Sequence, residues 1–391
     1  MLRSLDSGIS GLQAHQTMLD VTANNIANVN TTGFKSSSTQ FEDTLSQMLH
    51  SAGGSNAEVG STNPAQVGLG VKVAGIATDF TQGSTNSTGK PTDMMISGDG
   101  FFTVKSGGQT MYTRAGSFTF DADGQLAAPD GSLVQGWTAT NGVVPSGNAP
   151  LSTITLPSNS VAPAVATTKT TLSGNLPSDA AVGTSVTETE GVYDSTGASR
   201  SLNLTFTKTA AGWDVVGADG TGATGAASMT FANGALVSGG SLTVGGVTVD
   251  MSSTTGYAAL QTASLSGQDG RASGTLQSYS LSSDGKLVGS YSNGATETIA
   301  QIALANFTNP GGLAKAGSSD YTPTIASGPA TLGIAGTNGF GTLVGGSLEM
   351  SNVDLTQEFS DLIVAQRGFE ANARIITTSD QILQDLNQMQ R

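Results

Sequence analysis

The chain has 391 residues, no cysteine and a formal net charge of -14, although only 11% of its residues are charged. This length allows two or three domains with separate cores. The lack of cysteine excludes disulfides, thiolate metal sites and cysteine nucleophiles. The lack of basic patches argues against nucleic-acid binding. No apolar run is long enough to predict a membrane-spanning helix. The first residues also lack the apolar segment of a cleavable secretory signal.

The first segment, residues 2 to 34, predicts a long helix. Its apolar residues recur at alternating spacings of three and four, a spacing typical of a coiled-coil seam. The seam includes Leu5, Ile9, Leu12, Leu19 and Ile26. Asparagine and glycine then become frequent, and we expect the helix to end near Asn28 or Asn30.

The C-terminal segment predicts a second long helix that runs nearly to the last residue. Its seven-residue repeat consists of Leu355, Leu362, Phe369, Ile376 and Leu383. Polar residues interrupt the companion positions of this repeat, and these are Glu358, Asn372 and Ser379. Further apolar residues lie beside the repeat, at Phe359, Ile363, Ile375 and Ile382. Two helices cannot cover all of this surface, so we predict that the termini pair and that other copies cover the rest. The ten seam residues of the two helices are the predicted assembly interface.

The region between the helices is predicted to be mainly β. A short run from Phe41 to Leu49 fits an additional helix, and residues 51–63 are typical of a flexible connector. From Val67 the apolar period changes to two, with Val71, Val73 and Ile76 at the start of a series of strands, and Asp-Gly or Gly-Gly pairs predict hairpin turns. Leu202, Leu204 and Phe206 alternate with polar residues in a second, less diagnostic β region.

The predicted fold is therefore mainly β with paired terminal α-helices and discontinuous, nested domains. Residues 1–70 with 346–391 form a terminal helical assembly domain with its connectors. Residues 71–149 with 271–345 form a first β domain, and residues 150–270 form an inserted second β domain. The order along the chain is helix, first domain, second domain, first domain again, helix.

Several sequence blocks resemble the flagellar rod and hook protein family. They are Ser10-Gly11-Leu12, Leu19-Asp20-Val21, Asn24-Asn25-Ile26-Ala27-Asn28, Thr32-Gly33-Phe34-Lys35, Gly98-Asp99-Gly100-Phe101-Phe102, Tyr112-Thr113-Arg114-Ala115-Gly116, Leu348-Glu349-Met350-Ser351-Asn352-Val353-Asp354-Leu355 and Ala365-Gln366-Arg367-Gly368-Phe369-Glu370-Ala371-Asn372-Ala373-Arg374. The family-motif residues singled out are Asn24, Asn25, Asn28, Gly33, Phe34, Gln366, Arg367 and Asn372. As a set these blocks are highly specific.

The insertion of residues 150–270 makes the chain resemble the hook-type members of this family, and residues 306–313 are similar to the hook version. Phe369 departs from the family motif, which often has tyrosine at that position. Without cysteine, the chain cannot form the cysteine-derived cross-link that joins subunits in some hooks.

The resemblance implies a structural subunit that polymerises into the flagellar hook, a flexible tube that transmits torque from rod to filament. It also implies partners: other copies of the chain, the rod and hook-filament junction proteins, the hook cap protein and the flagellar type III export apparatus. The expected location is the extracellular hook, reached without a cleaved signal peptide. Polar residues would suit the lining of the tube, namely Gln13, Gln16, Asn24, Asn25, Gln384 and Gln388.

Two alternatives remain open at the level of sequence. One is a distal rod protein of the same family. The other is a secreted β-rich enzyme or polysaccharide-binding protein, which explains the composition but not the terminal repeats, and which predicts ligand binding by residues 71–345 alone. His15 and His50 lack the positioned partners that general-base catalysis needs. We therefore predict no catalytic residues, no cofactor, no metal site, no nucleic-acid partner and no membrane insertion.

Overall fold

The structure, a computed structural model, describes residues 2–53, 61, 63–140, 142–145, 149–156 and 161–389. Much of the predicted flexible connector, residues 54–60 and 62, lies outside the described residues. The chain divides into two compact units. The first unit contains residues 1–156, 280–288 and 298–391, and the second contains residues 157–279 and 289–297. The further separation of the first unit into a helical domain and a β domain stays a prediction.

Two long helices confirm the terminal repeats: α1 spans Leu2–Ala27 and α2 spans Leu355–Met389. Helix α1 ends where the Asn28 side chain donates to the Asn24 carbonyl at 2.9 Å, which satisfies a carbonyl at the helix end. Helix α2 begins after Asp354, whose carboxylate accepts from the Thr356 amide at 2.8 Å as an N-cap. Neither described helix is long and apolar enough to span a bilayer.

Most other elements are strands, which confirms the predicted fold class. The strands that precede the second unit are β1 Ser37–Asp43, β2 Ser46–His50, β3 Ala65–Gly68, β4 Val71–Thr78, β5 Thr85–Ser87, β6 Met94–Ser97, β7 Phe101–Ser106, β8 Gln109–Thr113, β9 Thr119–Phe120, β10 Leu126–Ala127, β11 Leu133–Thr138 and β12 Ser152–Thr153. The next strands are β13 Val161–Ala162, β14 Lys169–Asn175, β15 Ser185–Tyr193, β16 Ser199–Lys208, β17 Gly212–Asp219, β18 Thr224–Ala232, β19 Ala235–Ser238, β20 Ser241–Val244, β21 Val247–Thr255 and β22 Ser264–Gln268. The last strands are β23 Gly274–Leu281, β24 Lys286–Tyr291, β25 Thr296–Ile302, β26 Leu304–Asn306, β27 Ala314–Gly317, β28 Asp320–Thr322, β29 Thr331–Gly333, β30 Thr342–Gly345 and β31 Ser347–Glu349.

The predicted short helix between Phe41 and Leu49 is wrong. These residues belong to β1 and β2, which pair antiparallel with β4 and β3. The four strands form an arm of residues 37–50 and 65–78. The arm lies along α1, because the Phe41 ring contacts His15 and the Val71 amide donates to the Ser10 hydroxyl at 3.3 Å. The partner strands are distant in sequence, so a local apolar pattern did not reveal them.

The rest of the first unit is built on an antiparallel sheet with the order β25-β11-β7-β8-β28-β27. The predicted hairpin at Gly107-Gly108 joins β7 to β8, and Asp121 accepts from the Asp123 and Gln125 amides in the next predicted turn. Aromatic residues fill one part of the core, where Phe101 and Phe307 pack edge to face at 5.7 Å. A single 3-10 turn, Pro310–Gly312, is the one helical element described between β26 and α2.

The second unit has its own sheet, with the order β15-β16-β17-β18-β19-β21-β14-β22. Its β14 and β21 pair in parallel, whereas the other described neighbours in this order pair antiparallel. Leu202, Leu204 and Phe206 all point into its core, as their alternation predicts. This core of apolar residues makes the unit a separate packing body.

We expect Leu204→Ala to lower the free energy of unfolding of this unit by about 2 to 5 kcal/mol, because it removes a fully buried side chain and leaves a cavity. The matched change Val216→Ala, at a half-exposed residue of the neighbouring strand, should have little effect. Urea unfolding of both variants checks this, and equal effects would contradict the assignment of the core.

Candidate functional site: the helix pair and its joint

The two helices pack antiparallel through small side chains. The N-terminal part of α1 lies against the C-terminal part of α2, where Gly8 faces Ile376. At the other end of the pair, Asn25 of α1 donates a hydrogen bond to Glu358 of α2. A Cβ atom on Gly11 would meet the Asn372 side chain at 2.8 Å, and one on Gly368 would meet the His15 ring at 2.5 Å. The two glycines therefore let the helix axes approach closely.

The contact line is displaced from the predicted seam. The residues of this line that are buried in the helix pair are Gly8, Gly11, Ala14, Thr22, Asn25, Ala365 and Ser379. Ser379 was interpreted as an interruption of the apolar repeat, but it is buried, whereas the leucines Leu355, Leu362 and Leu383 of that repeat are not. Small side chains occupy the line because larger ones would separate the backbones.

None of the ten predicted assembly residues is buried within the chain. Three of them are exposed, namely Ile9, Leu355 and Leu383. Those that are half-buried are Leu5, Leu12, Leu19, Ile26, Leu362, Phe369 and Ile376. Phe359 and Ile363 are 53% and 49% exposed, and Ile375 and Ile382 are nearly as accessible. The helix pair thus has a closely packed centre and apolar flanks that the described chain leaves open to water.

Of the family-motif residues, Asn25 has the most specific contacts. It is 1% exposed, so it cannot line a tube, contrary to the expectation from its polarity. Its amide group donates to the Ser37 carbonyl at 2.7 Å and to Glu358 at 2.8 Å, and its side-chain oxygen accepts from the Ser37 amide at 3.0 Å. Burial raises the pKa of Glu358, and the bond from Asn25 opposes that shift. Asn25 therefore ties α1 to the arm and to α2.

The other motif residues divide into contact residues and exposed ones. Gly33 has a φ of +67°, and a Cβ there would collide with the Ala115 backbone. Phe34 is half-buried, and the Lys315 ammonium lies 5.1 Å from the centre of its ring. Asn24, Gln366 and Arg367 are exposed. The structure therefore does not bring all eight residues together.

At the base of the helix pair, charged and polar side chains form a cluster that the sequence did not single out. We call Lys35, Arg114, Glu349 and Asn352 the joint cluster. Lys35 donates to Glu349 at 2.6 Å and to the Thr81 carbonyl at 2.7 Å. Both side chains of this ion pair are 0% exposed. Such a pair is stable only where hydrogen bonds and neighbouring charges offset its desolvation.

The joint cluster binds three connecting segments to one another. Glu349 also accepts from the Gly83 amide at 3.0 Å, and its own carbonyl accepts from the Gly33 amide at 2.8 Å. The Asn352 side chain accepts from the Ser36 amide at 2.8 Å and donates to the Asp79 carbonyl at 2.9 Å. The segments lie between α1 and the arm, between the arm and the β sheet, and between the β sheet and α2.

The electrostatics of the joint cluster combine two cations with one carboxylate. Burial lowers the pKa of Lys35, and Glu349 opposes the shift. Burial also lowers the pKa of Arg114, whose guanidinium lies 3.7 Å from the second Glu349 oxygen and donates to the Gly98 carbonyl at 2.9 Å. The arrangement is suited to holding segments in place and offers no free acid or base beside a cavity.

These four residues lie within the family motifs, but the sequence alone indicated no role for them. The available signal was their charge, because few residues of this chain are charged, and here a lysine follows Gly-Phe and a glutamate lies between Leu348 and Met350. Among the described residues, no group of three His, Cys, Asp or Glu side chains could hold a metal ion.

A cleft of about 580 Å³ opens beside the segment that follows α1. Four segments line it: the one after α1, the end of β8 with the loop after it, the loop between β10 and β11, and the β27–β28 hairpin. The lining includes Phe34, Ala115, Ala128, Pro129 and Tyr321. Asp320 lies in this wall and is 5% exposed. Burial and the nearby Asp130 raise the pKa of Asp320 to about 6.

Comparison with known proteins gives matches along the whole chain. Three family models match: "Flagella basal body rod protein" at residues 5–35, "Flagellar hook protein FlgE/F/G D1 domain" at 95–171 and "Flagellar basal body rod FlgEFG protein C-terminal" at 344–389. The chain is 39% identical to Flagellar hook protein FlgE of Borreliella burgdorferi, over 99% of both chains. It is 38% identical to Flagellar hook protein FlgE of Salmonella typhimurium, over 98% of this chain and 99% of that one. It is 32% identical to Flagellar basal-body rod protein FlgG of Bacillus subtilis, over all of both chains.

We expect Lys35→Ala to destabilise the first unit by about 3 to 5 kcal/mol, because the buried Glu349 carboxylate loses the ammonium that donates to it and keeps, as a cation, only the Arg114 guanidinium at 3.7 Å. Lys72→Ala is the matched control, since Lys72 also lies 2.6 Å from a glutamate but at the surface, and we expect it to unfold like the wild type. Chemical denaturation of both variants measures the difference. Similar midpoints for the two would contradict the role of the joint cluster.

Asp320 predicts a pH dependence of stability. Its folded pKa of about 6 exceeds the ordinary value of 3.8, so the folded state binds more protons between these values. This stabilisation is present below pH 4 and is lost as the pH rises through 6, with a change of about 2 to 3 kcal/mol. Asp320→Asn should remove the dependence, which denaturation at pH 4 to 7.5 would show. Parallel curves for the variant and the wild type would contradict it.

Proposed function

The chain belongs to the flagellar rod and hook protein family, and from this premise we propose how it works. It is a structural subunit of the flagellar hook and polymerises with other copies into a helical tube. The paired helices α1 and α2 form the inner wall, and the β-rich parts of the chain lie outside it. The observation that carries this proposal is the set of apolar flanks that the helix pair leaves uncovered.

The flanks support assembly because their large apolar side chains stay 40% to 53% exposed in the described chain. Helix α2 exposes four of these side chains and helix α1 exposes one, namely Phe359, Ile363, Ile375 and Ile382 on α2 and Ile9 on α1. An exposed apolar surface of this length is typical of a protein interface. If the flank of one copy covers a different flank of the next, the contact does not close on itself, and repetition gives a helical filament.

The arm adds to this surface. Leu45 is 82% exposed, and Met48 and Leu49 are also exposed, although they lie in a two-stranded ribbon. A ribbon of two strands is marginally stable alone in water. Packing against neighbouring copies would stabilise the arm and enlarge the contact between subunits.

The joint cluster gives the subunit a mechanical role. Force on the helix pair reaches the β sheet through three segments, and the joint cluster fixes all three at one place. We propose that torque passes through this cluster, while bending of the tube takes place at contacts between neighbouring outer parts. Interfaces with two near-equal arrangements allow such sliding without loss of connectivity.

The remaining expectations follow from the family and are part of the proposal. The subunit is exported by the flagellar type III apparatus without a cleaved signal peptide and assembles under the hook cap protein outside the cell. It meets the rod at one end of the tube and the hook-filament junction proteins at the other. The Gly33, Phe34 and Asn25 contacts hold the inner wall to the outer parts during this assembly.

The alternative within the family is a distal rod subunit. The identity of 39% to the hook protein of Borreliella burgdorferi, against 32% to the rod protein of Bacillus subtilis, favours the hook. Immunogold labelling of intact flagellar bases tests this choice: label on the external curved segment supports the hook, and label on the straight segment within the envelope would assign the chain to the rod.

We expect Ile363→Asp to abolish tube formation and to leave the monomer folded, because the side chain is exposed in the chain and the new charge would be buried between copies. Ile376→Asp should also abolish tubes, but it additionally disturbs the contact with Gly8. Val182→Asp, at an exposed residue of the second unit, is the control and should assemble. Electron microscopy and circular dichroism measure both properties, and abundant tubes from Ile363→Asp would refute the assembly surface.

A further inference from the structure

A loop between β28 and β29, residues 323–329, presents an apolar side chain directly to solvent. Ile325 at its tip has a relative accessibility of 104%, the greatest of any large apolar residue among the described exposed ones. The loop contains no charged residue, and prolines occupy both of its ends. It lies in the first unit but outside the helix pair, so the assembly surface described above does not account for it.

The loop is held in one conformation by side-chain hydrogen bonds. The Thr324 hydroxyl donates to the Gly312 carbonyl at 2.5 Å. The Ser327 hydroxyl accepts from the Thr324 amide and donates to the Thr324 carbonyl, both at 2.9 Å. The Asn309 amide group donates to the Ala326 carbonyl at 3.0 Å. Ile325 is therefore exposed on a fixed scaffold, and binding through it would require little ordering of the loop.

The cleft lies at the other end of the same hairpin. The turn that joins β27 to β28, residues 317–319, lines the cleft, whereas Thr322 pairs with Ala314 at the open end and leads into the Ile325 loop. The loop does not occupy the cleft of its own chain, because its bonds to Asn309 and Gly312 hold it in a position where Ile325 is fully exposed. A second copy can present its loop there.

The cleft matches the loop in chemistry. Its walls include Phe34, Ala115, Pro129 and the ring of Tyr321, which suit an aliphatic side chain. Its volume of about 580 Å³ exceeds that of one isoleucine side chain and accommodates the tip residues 324–326 together. An uncharged loop also avoids burying a charge near Asp320, which is itself desolvated.

We propose that the Ile325 loop of one copy inserts into the cleft of the next copy, as a head-to-tail contact outside the helical wall. The inference rests on the proposed polymer, since it requires successive copies of the chain. The two surfaces differ, so the contact is heterologous and propagates along the assembly without closing. It places a contact beside the segment that follows α1, close to where the wall joins the β sheet.

The absence of native cysteine makes a direct test possible. Ile325→Cys and Ser117→Cys, the latter in the cleft wall, are introduced singly and together, and assembled tubes are treated with a mild oxidant. We expect a ladder of disulfide-linked chains from the double variant and none from either single variant. Cys at position 325 should also react with a maleimide at least tenfold more slowly in tubes than in monomers.

The outcomes separate this contact from the polymer itself. Tubes that give no ladder and in which the thiol at 325 reacts as fast as in monomers overturn the contact and leave the proposed function intact. Failure of the unmodified chain to form tubes overturns the proposed function. If the cysteine variants do not assemble, Ile325→Asp and Ile325→Val replace them: at least tenfold fewer tubes from Ile325→Asp alone, with an unchanged monomer melting temperature, support the contact. Equal tube yields from the two variants overturn it.

Discussion

A buried lysine–glutamate pair determines how the ends of this chain are attached to its β sheet. Lys35 and Glu349 are separated by 314 residues in sequence, yet both side chains are fully buried and 2.6 Å apart. Isolated buried charges are strongly unfavourable, so each residue requires the other at that place. The pair also bonds the Thr81 carbonyl and the Gly83 amide, and it thereby fixes the third segment that passes the joint. We interpret this ion pair as the interaction that specifies one arrangement of the three connecting segments.

The packing of the helix pair has a direct consequence for assembly. Because Gly11 and Gly368 lie at the contact, the helices approach closely through small side chains and leave the larger apolar residues on both flanks. If the leucines formed the contact between the helices, the apolar surface of the flanks would be buried within the monomer. The small contact residues therefore preserve an apolar surface for neighbouring copies, and the joint cluster fixes the direction in which that surface points relative to its own β sheet.

Local sequence patterns predicted many of the elements, and they failed where the partner was distant. The helix boundaries near Asn28 and Leu355 and the hairpins at Gly107-Gly108 and Asp121–Gly124 depend on turn chemistry and on periods within one segment. The run from Phe41 to Leu49 was interpreted as a helix because short apolar runs fit either period. Its pairing with residues 65–78 decides in favour of a strand, and that pairing is nonlocal.

The sequence by itself determined the fold class, the two terminal helices and the family, because periodicity, turn residues and short motifs are local properties. Tertiary structure alone decided which side of each helix faces the other, since that depends on how closely two backbones can approach. It also decided the role of Lys35, whose charge is ordinary in sequence and exceptional only when buried beside Glu349. The apolar flanks were visible as a repeat, but their availability to other copies became clear only when small residues were found at the centre of the pair.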